Sequence, residues 1–145
     1  KLKDIVISSD VTYFDVRKIQ MQTCYPHQET FQASEELISL SKKACEATLP
    51  DTQNYYVGRI ATGDNFISSQ SAKEKIMDEF SPYCVEMEGA AIGHVAYLNQ
   101  VPFVVIRSIS DFADDAAEST YEEFEAITSQ QSAKITLKIL ELHNN

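Results

Sequence analysis

Two stretches of the chain run from apolar residues straight into acidic ones: Val85-Glu-Met-Glu-Gly-Ala-Ala91 and Val104-Val-Ile-Arg-Ser-Ile-Ser-Asp-Phe-Ala-Asp114. Pro102 to Ile109 reads as a strand buried on both faces, delivering Ser110 and Asp111 at its carboxyl end. In open α/β sheets that edge is where ligands bind. A Ser-Asp pair after a strand can cap a helix or close a turn. Held in a cleft, the same carboxyl can give a proton to a leaving group. Glu86 and Glu88 flank Met87, and on an extended segment they face the same side. Two carboxylates so placed repel, so a cation is expected beside them. Arg107 is the candidate, from what reads as a neighbouring strand. The pairing of Glu86 with Arg107 is then either a structural ion pair or part of the site.

Other chemistries are disfavoured. His27, His94 and His143 do not cluster, so neither a metal site nor a Ser-His-Asp triad is expected. Cys24, Cys45 and Cys84 are odd in number and widely spaced, unlike a disulfide framework or a zinc knuckle. Reduced thiols in a cytoplasmic protein are the simplest reading, with Cys84 a small core residue. Gly58, Gly63, Gly89 and Gly93 form no phosphate-cradling loop. A net charge of −10 with scattered Lys and Arg argues against a nucleic-acid partner. No apolar run approaches a membrane span, and the first residues show no signal-peptide plan.

The elements that must position these residues alternate. Strands are expected at Asp4–Ser8, Tyr55–Ala61, Tyr83–Glu86 and Pro102–Ile109. Residues 10–33 read as a long loop. Helices are expected from Ser34 to about Thr48 (Leu37, Leu40 and Ala44 inward), from Ser71 to Phe80 (Ile76 and Phe80 inward), and from Glu88 to Leu98 (Ala91, Ile92, Val95 and Ala96 inward). A last helix starts at a capping box, Ser119-Thr-Tyr-Glu122, and reaches about Leu142, with Phe124, Ile127, Ile135 and Ile139 inward. Alternation of this kind means a mostly parallel sheet covered by helices. At 145 residues and 43% hydrophobic, the chain suits one α/β domain, 1–145.

The words themselves go further. Val85-Glu-Met-Glu-Gly-Ala-Ala-Ile92, followed by Val101-Pro-Phe-Val-Val-Ile-Arg-Ser-Ile-Ser-Asp-Phe-Ala-Asp114, resembles the 5′-methylthioadenosine/S-adenosylhomocysteine nucleosidases of the nucleoside phosphorylase superfamily. Thr62-Gly-Asp-Asn-Phe-Ile67 and Tyr121-Glu-Glu-Phe124 resemble two further family segments, Phe being commoner at the position of Tyr121. Lys3-Asp-Ile-Val-Ile-Ser8 is similar to a family strand. The Arg-x-x-Ser-Asp form favours the nucleosidases over the phosphorylases.

The resemblance implies a three-layer α/β/α fold with a mostly parallel mixed sheet, here without the family's N-terminal strands. It implies hydrolysis of an adenine thionucleoside at the N-glycosidic bond, with no cofactor or metal. Asp111 would protonate adenine N7, and Ser110 would help place it. Glu88 would bind the ribose hydroxyls and Met87 would pack on the sugar. Phe66 would stack on adenine while the Ile67 backbone reads its edge. Ala113 and Tyr121 would lie near the base and the 5′ group. Glu86 and Arg107 would support.

Two departures stand out. Family members are longer, and the part not represented here supplies the carboxylate that activates water. The 15–30 segment, containing Val16-Arg-Lys-Ile-Gln-Met-Gln-Thr-Cys-Tyr-Pro26, lacks the family's Phe-Gly-Tyr-x-Tyr-Gly type run, which reaches a partner subunit. Three readings follow: the C-terminal portion of a nucleosidase; a purine nucleoside phosphorylase or other N-ribosyl hydrolase with altered 5′ specificity; or a non-catalytic nucleoside-binding subunit. Open sheet edges suggest a homo-oligomer such as a dimer, or pairing with a chain that supplies the N-terminal part.

Overall fold

The structure is a computed structural model, and it describes residues 1–113 and 117–144, with only the backbone of 117–123. Among the described residues, strands β1 (Ile5–Tyr13), β2 (Thr30–Gln32), β3 (Tyr55–Thr62), β4 (Cys84–Glu86) and β5 (Ile106–Ser108) form one sheet. The helices are α1 (Lys18–Thr23), α2 (Glu35–Thr48), α3 (Gln70–Phe80), α4 (Gly89–Leu98) and α5 (Ala117–His143). β1, β3 and β4 run parallel, whereas β2 and β5 lie antiparallel to β1. The sheet is therefore mixed.

β1 organises everything. Its residues are buried almost without interruption, as expected of a strand covered on both faces. β3 pairs along its whole length, while β5 takes the first half (Ile5–Ile7) and β2 the second (Asp10–Thr12). The β1–β3 register shifts between Ser8 and Val11, an irregularity of the kind that bends a strand. At that point the Ser8 hydroxyl accepts from Val105 N–H at 2.8 Å, and Ser8 N–H donates to the Val105 carbonyl at 2.8 Å.

Residues 10–33 are not a plain loop. β1 continues to Tyr13 because its buried polar residues find partners. Asp10 accepts from Arg59 Nε at 2.6 Å, and Thr12 Oγ1 donates to the Glu29 carbonyl at 2.9 Å. The strand expected over Pro102–Ile109 shrinks to Ile106–Ser108, each half-buried. Phe103 and Val105 are buried before the regular ladder begins, so the apolar run extends beyond the strand that pairs regularly. β4 likewise starts one residue late, and Cys84 is half-buried rather than core.

The helix starts are where the capping residues put them. Ser34 accepts from Leu37 N–H, and Ser69 accepts from Ala72 N–H. On α2 the buried face is Ile38, Ser41, Ala44 and Cys45, with Leu37 and Leu40 at its margin. Ile76 and Phe80 are buried on α3 as expected. On α5, Ile135 and Ile139 are buried and Phe124 is half-buried, but Ile127 is exposed and Thr128 takes the inward place. The capping box at Ser119 lies outside the described side chains.

α4 turns the opposite way from expectation. Gly89, Ala90 and Gly93 are buried, Ala96 is half-buried, and Ala91, Ile92 and Val95 are exposed. Small residues face the sheet because the helix comes very close. A Cβ on Gly93 would lie 2.5 Å from Val11 Cγ2 and 2.8 Å from Phe103 Cζ. Gly93→Ala is therefore expected to destabilise by about 1–2 kcal/mol, overpacking outweighing the roughly 1 kcal/mol gained in helix propensity. Urea titration of wild type and variant measures this, and a variant as stable as wild type would disprove the close contact.

His94, also on α4, stacks on Phe31 with ring centroids 4.5 Å apart, and its Nε2 is buried with no hydrogen-bond partner. Burial pushes its pKa below the ordinary 6.5. The unfolded chain thus takes up this proton first as pH falls. The neutral ring's contribution is whole above about pH 6.5 and is lost as pH drops through the lower folded-state value. His94→Phe keeps the stack and removes the proton site. Its melting temperature is expected to fall less than that of wild type between pH 7 and pH 5.5.

Candidate active site

The site is organised around one carboxylate. Glu86 closes β4 just before α4, whose first N–H groups have no partner within the helix. The residue preceding the helix, Glu88, makes no side-chain cap. Glu86 does so instead: its Oε2 accepts from Glu88 N–H at 3.1 Å and Gly89 N–H at 2.7 Å. A negative charge there also suits the helix dipole. Its Oε1 accepts from Thr62 Oγ1, which in turn accepts from Ala90 N–H at 2.8 Å.

Arg107 completes the cluster. Its Nε donates to Glu86 Oε2 at 2.9 Å, and Nη2 reaches both Glu86 Oε2 and Glu88 Oε2. The expected pairing forms, but not between adjacent strands, since β5 bonds to β1 and β4 to β3. The sheet must curl to bring them together. Burial alone would lower the Arg107 pKa, but the hydrogen bonds and charges of Glu86 and Glu88 outweigh it and hold the pKa above its ordinary value. The Glu86 side chain is 7% exposed and the Glu88 side chain 61%. Glu86 is thus the embedded member, and Glu88 is the one open to a ligand.

Beyond β5, Asp111 is held at both oxygens. Ser110 Oγ donates to Oδ2 at 3.0 Å and Ala113 N–H donates to Oδ1 at 2.8 Å. Ala113 has φ of 52°, a left-handed conformation that alanine rarely adopts. A cavity of about 1010 Å³ joins the two acidic strand ends. Of the residues expected in the site, Phe66, Ile67, Glu86, Met87, Glu88, Arg107, Ser110, Asp111 and Ala113 all line it. Tyr121 lies outside the described side chains.

Lys73, Met77 and Tyr83 also line the cavity and were not anticipated. Tyr83 is legible in retrospect: a Cβ at Gly58 would fall 2.1 Å from its Cδ2, so that glycine makes room for the ring. Nothing in the spacing of Lys73 marks it. Cys84 lines the same wall. Burial first, then the nearby Glu86, pushes its thiol up to about 12 against a smaller opposing effect of Arg107, so it stays protonated and is a poor nucleophile. Among the described residues no group of three or more His, Cys, Asp or Glu is placed to hold a metal ion.

The profile of the phosphorylase superfamily matches residues 1–141. This chain belongs to the phosphorylase superfamily. Among its superfamily relatives is the 5′-methylthioadenosine/S-adenosylhomocysteine nucleosidase of Actinobacillus succinogenes, 38% identical over 97% of this chain and 62% of the relative. The Treponema pallidum nucleosidase is 46% identical over 58% of this chain and 32% of its own length. Among solved superfamily structures, the Colwellia psychrerythraea nucleosidase in complex with adenine matches with TM-score 0.88 and 33% identity, over 97% of this chain and 60% of that one. Futalosine hydrolase of Helicobacter pylori matches with TM-score 0.86 and 30% identity, over 97% and 61%. The chain thus spans about three fifths of the length of the relatives it matches across almost its whole extent.

In this superfamily chain the ion cluster is testable by stability. Arg107→Met leaves the embedded Glu86 charge without its cation and is expected to cost about 2 kcal/mol. In a Glu86→Gln background the same change is expected to cost about half as much. Equal costs in both backgrounds, read from denaturant midpoints, would show that the two side chains do not interact.

Proposed function

We propose that this chain carries the base- and ribose-binding part of a hydrolase that cleaves the N-glycosidic bond of 5′-methylthioadenosine or S-adenosylhomocysteine and releases adenine. One observation carries the reading: Asp111 shares its cavity with Phe66, Ile67, Met87 and Glu88. Those are the side chains that an adenine nucleoside needs to meet together. Similarity to the two nucleosidases above supports it.

The chemistry needs a proton on the departing base. As the C–N bond lengthens, the ribose gains positive charge and adenine gains negative charge. Asp111 gives its proton to adenine N7, so the base leaves neutral. Its two hydrogen bonds set where the carboxyl can point. Glu88 accepts from the ribose hydroxyls, and its negative charge favours the developing oxocarbenium ion. Phe66, 46% exposed, offers a face for adenine, and the Ile67 backbone reads the base edge. Met87 packs on the sugar, with Ala113 near the base. Glu86 and Arg107 hold Glu88 in place. The carboxylate that activates the attacking water is assigned to the part of the relatives that this chain does not match. Neither a cofactor nor a metal enters these steps. The single domain 1–145 would work in the cytoplasm as a dimer, or paired with the segment that completes it. Among the described residues no helix is long and apolar enough to cross a membrane.

The likeness to futalosine hydrolase favours one second reading, an N-ribosyl hydrolase acting on a nucleoside with another 5′ group. An adenine-release assay separates these from the phosphorylase and binding-subunit readings. It is run on 5′-methylthioadenosine with and without phosphate, for residues 1–145 alone and for the chain joined to the N-terminal segment of the Actinobacillus succinogenes relative. The chain alone is expected to bind adenine but turn over slowly or not at all. The joined protein is expected to release adenine without phosphate, and Asp111→Asn to lower that rate by about 10²–10⁴-fold. Strict phosphate dependence would make the protein a phosphorylase, and a rate unchanged by Asp111→Asn would remove the proposed acid.

A further inference from the structure

Lys73 stands on α3, outside every motif that marked the site. Its Nζ donates to the Phe112 carbonyl oxygen at 2.7 Å. That carbonyl belongs to the same peptide unit as the Ala113 N–H, which donates to Asp111 Oδ1 at 2.8 Å. Ammonium, peptide and carboxyl therefore form one continuous chain of hydrogen bonds.

The chain has electrical and geometric effects. A cation at the carbonyl oxygen draws electron density through the amide and makes its N–H a stronger donor, since linked hydrogen bonds polarise one another. The bond from Lys73 is itself charge-assisted and stronger than a neutral one. The peptide also needs holding, because Ala113 sits at φ 52° and strained conformations of this kind persist only where their surroundings impose them. Lys73 is well placed to impose it. α3 is capped by Ser69 and anchored by the buried Ile76 and Phe80, so its lysine ties the segment after β5 to a packed element.

We propose that Lys73 is a positioning residue for Asp111: it fixes the Phe112–Ala113 peptide and so presents the Asp111 carboxyl at one place in the cavity. The kinetic consequence rests on the reading of Asp111 as the leaving-group acid, whereas the structural link does not. Because Lys73 also lines the cavity, direct contact with the ligand is the competing role.

Two substitutions separate the roles. Lys73→Met keeps the stem and removes the charge and donor, and Lys73→Arg keeps both. In residues 1–145, hydrogen exchange at the Ala113 amide, followed by NMR, is expected to quicken about 10-fold in Lys73→Met at unchanged global stability. It should stay near wild type in Lys73→Arg. Unaltered exchange in Lys73→Met overturns the proposal. In the protein that releases adenine, Lys73→Met is expected to lower kcat about 10-fold with KM within about twofold, because the carboxyl is misplaced rather than the substrate lost. Lys73→Arg should restore it. A raised KM with unchanged kcat would make Lys73 a ligand contact and overturn the positioning role. Exchange that depends on Lys73 in a protein that releases no adenine would leave the link standing and remove the reading of Asp111 as an acid.

Discussion

The structure depends on the carboxylate of Glu86. It accepts hydrogen bonds from Thr62 at the end of β3, from the first turn of α4, and from Arg107 on β5. A buried carboxylate without such partners would be costly. Here its charge is balanced by a helix N-terminus and a guanidinium. The same bonds set the site's geometry. Arg107 contacts Glu88 with the same guanidinium nitrogen that contacts Glu86, so the residue proposed to touch the sugar shares its cation with one that need not touch it.

The site was more legible than the elements around it. Glu86, Glu88, Arg107 and Asp111 announce themselves because chemistry restricts which residue types can serve, and a charge beside an apolar run is conspicuous. The helix faces were harder. α4 is apolar all round, and hydrophobicity then carries no direction. What decides its orientation is size: Gly93 faces in because nothing larger fits against Val11 and Phe103. Residues 10–33 hid a strand for a related reason. Ser9, Asp10 and Thr12 interrupt the apolar pattern, and the partners Arg59, 49 residues from Asp10, and Glu29, 17 residues from Thr12, make burial of Asp10 and Thr12 tolerable. A polar residue inside a strand is unreadable without its partner.

The cavity is built from elements of this chain. Its walls come mainly from β4, β5, α3 and the segments beside these strands, with Lys1 and Glu125 of α5 also lining it. The side chains proposed to meet base and sugar are thus positioned by this chain's own packing. What the relatives' additional length contributes in the proposed reaction is the water and its base, a separate task from holding the nucleoside.

β1 imposes an order on folding. Ser8 exchanges hydrogen bonds with Val105, 97 residues further along the chain. At about 5–20 residues per second, a ribosome needs roughly 5–20 s to reach that partner. Throughout that interval the first half of the protein's most deeply embedded strand, Ile5–Ile7, lacks the partner on its β5 edge. Unmet edges invite other strands, and pairings this distant in sequence form slowly. The residue that relieves the exposure belongs to the segment that delivers Asp111. The nascent chain therefore cannot seal this part of its central strand until the segment leading into the proposed acid has been made.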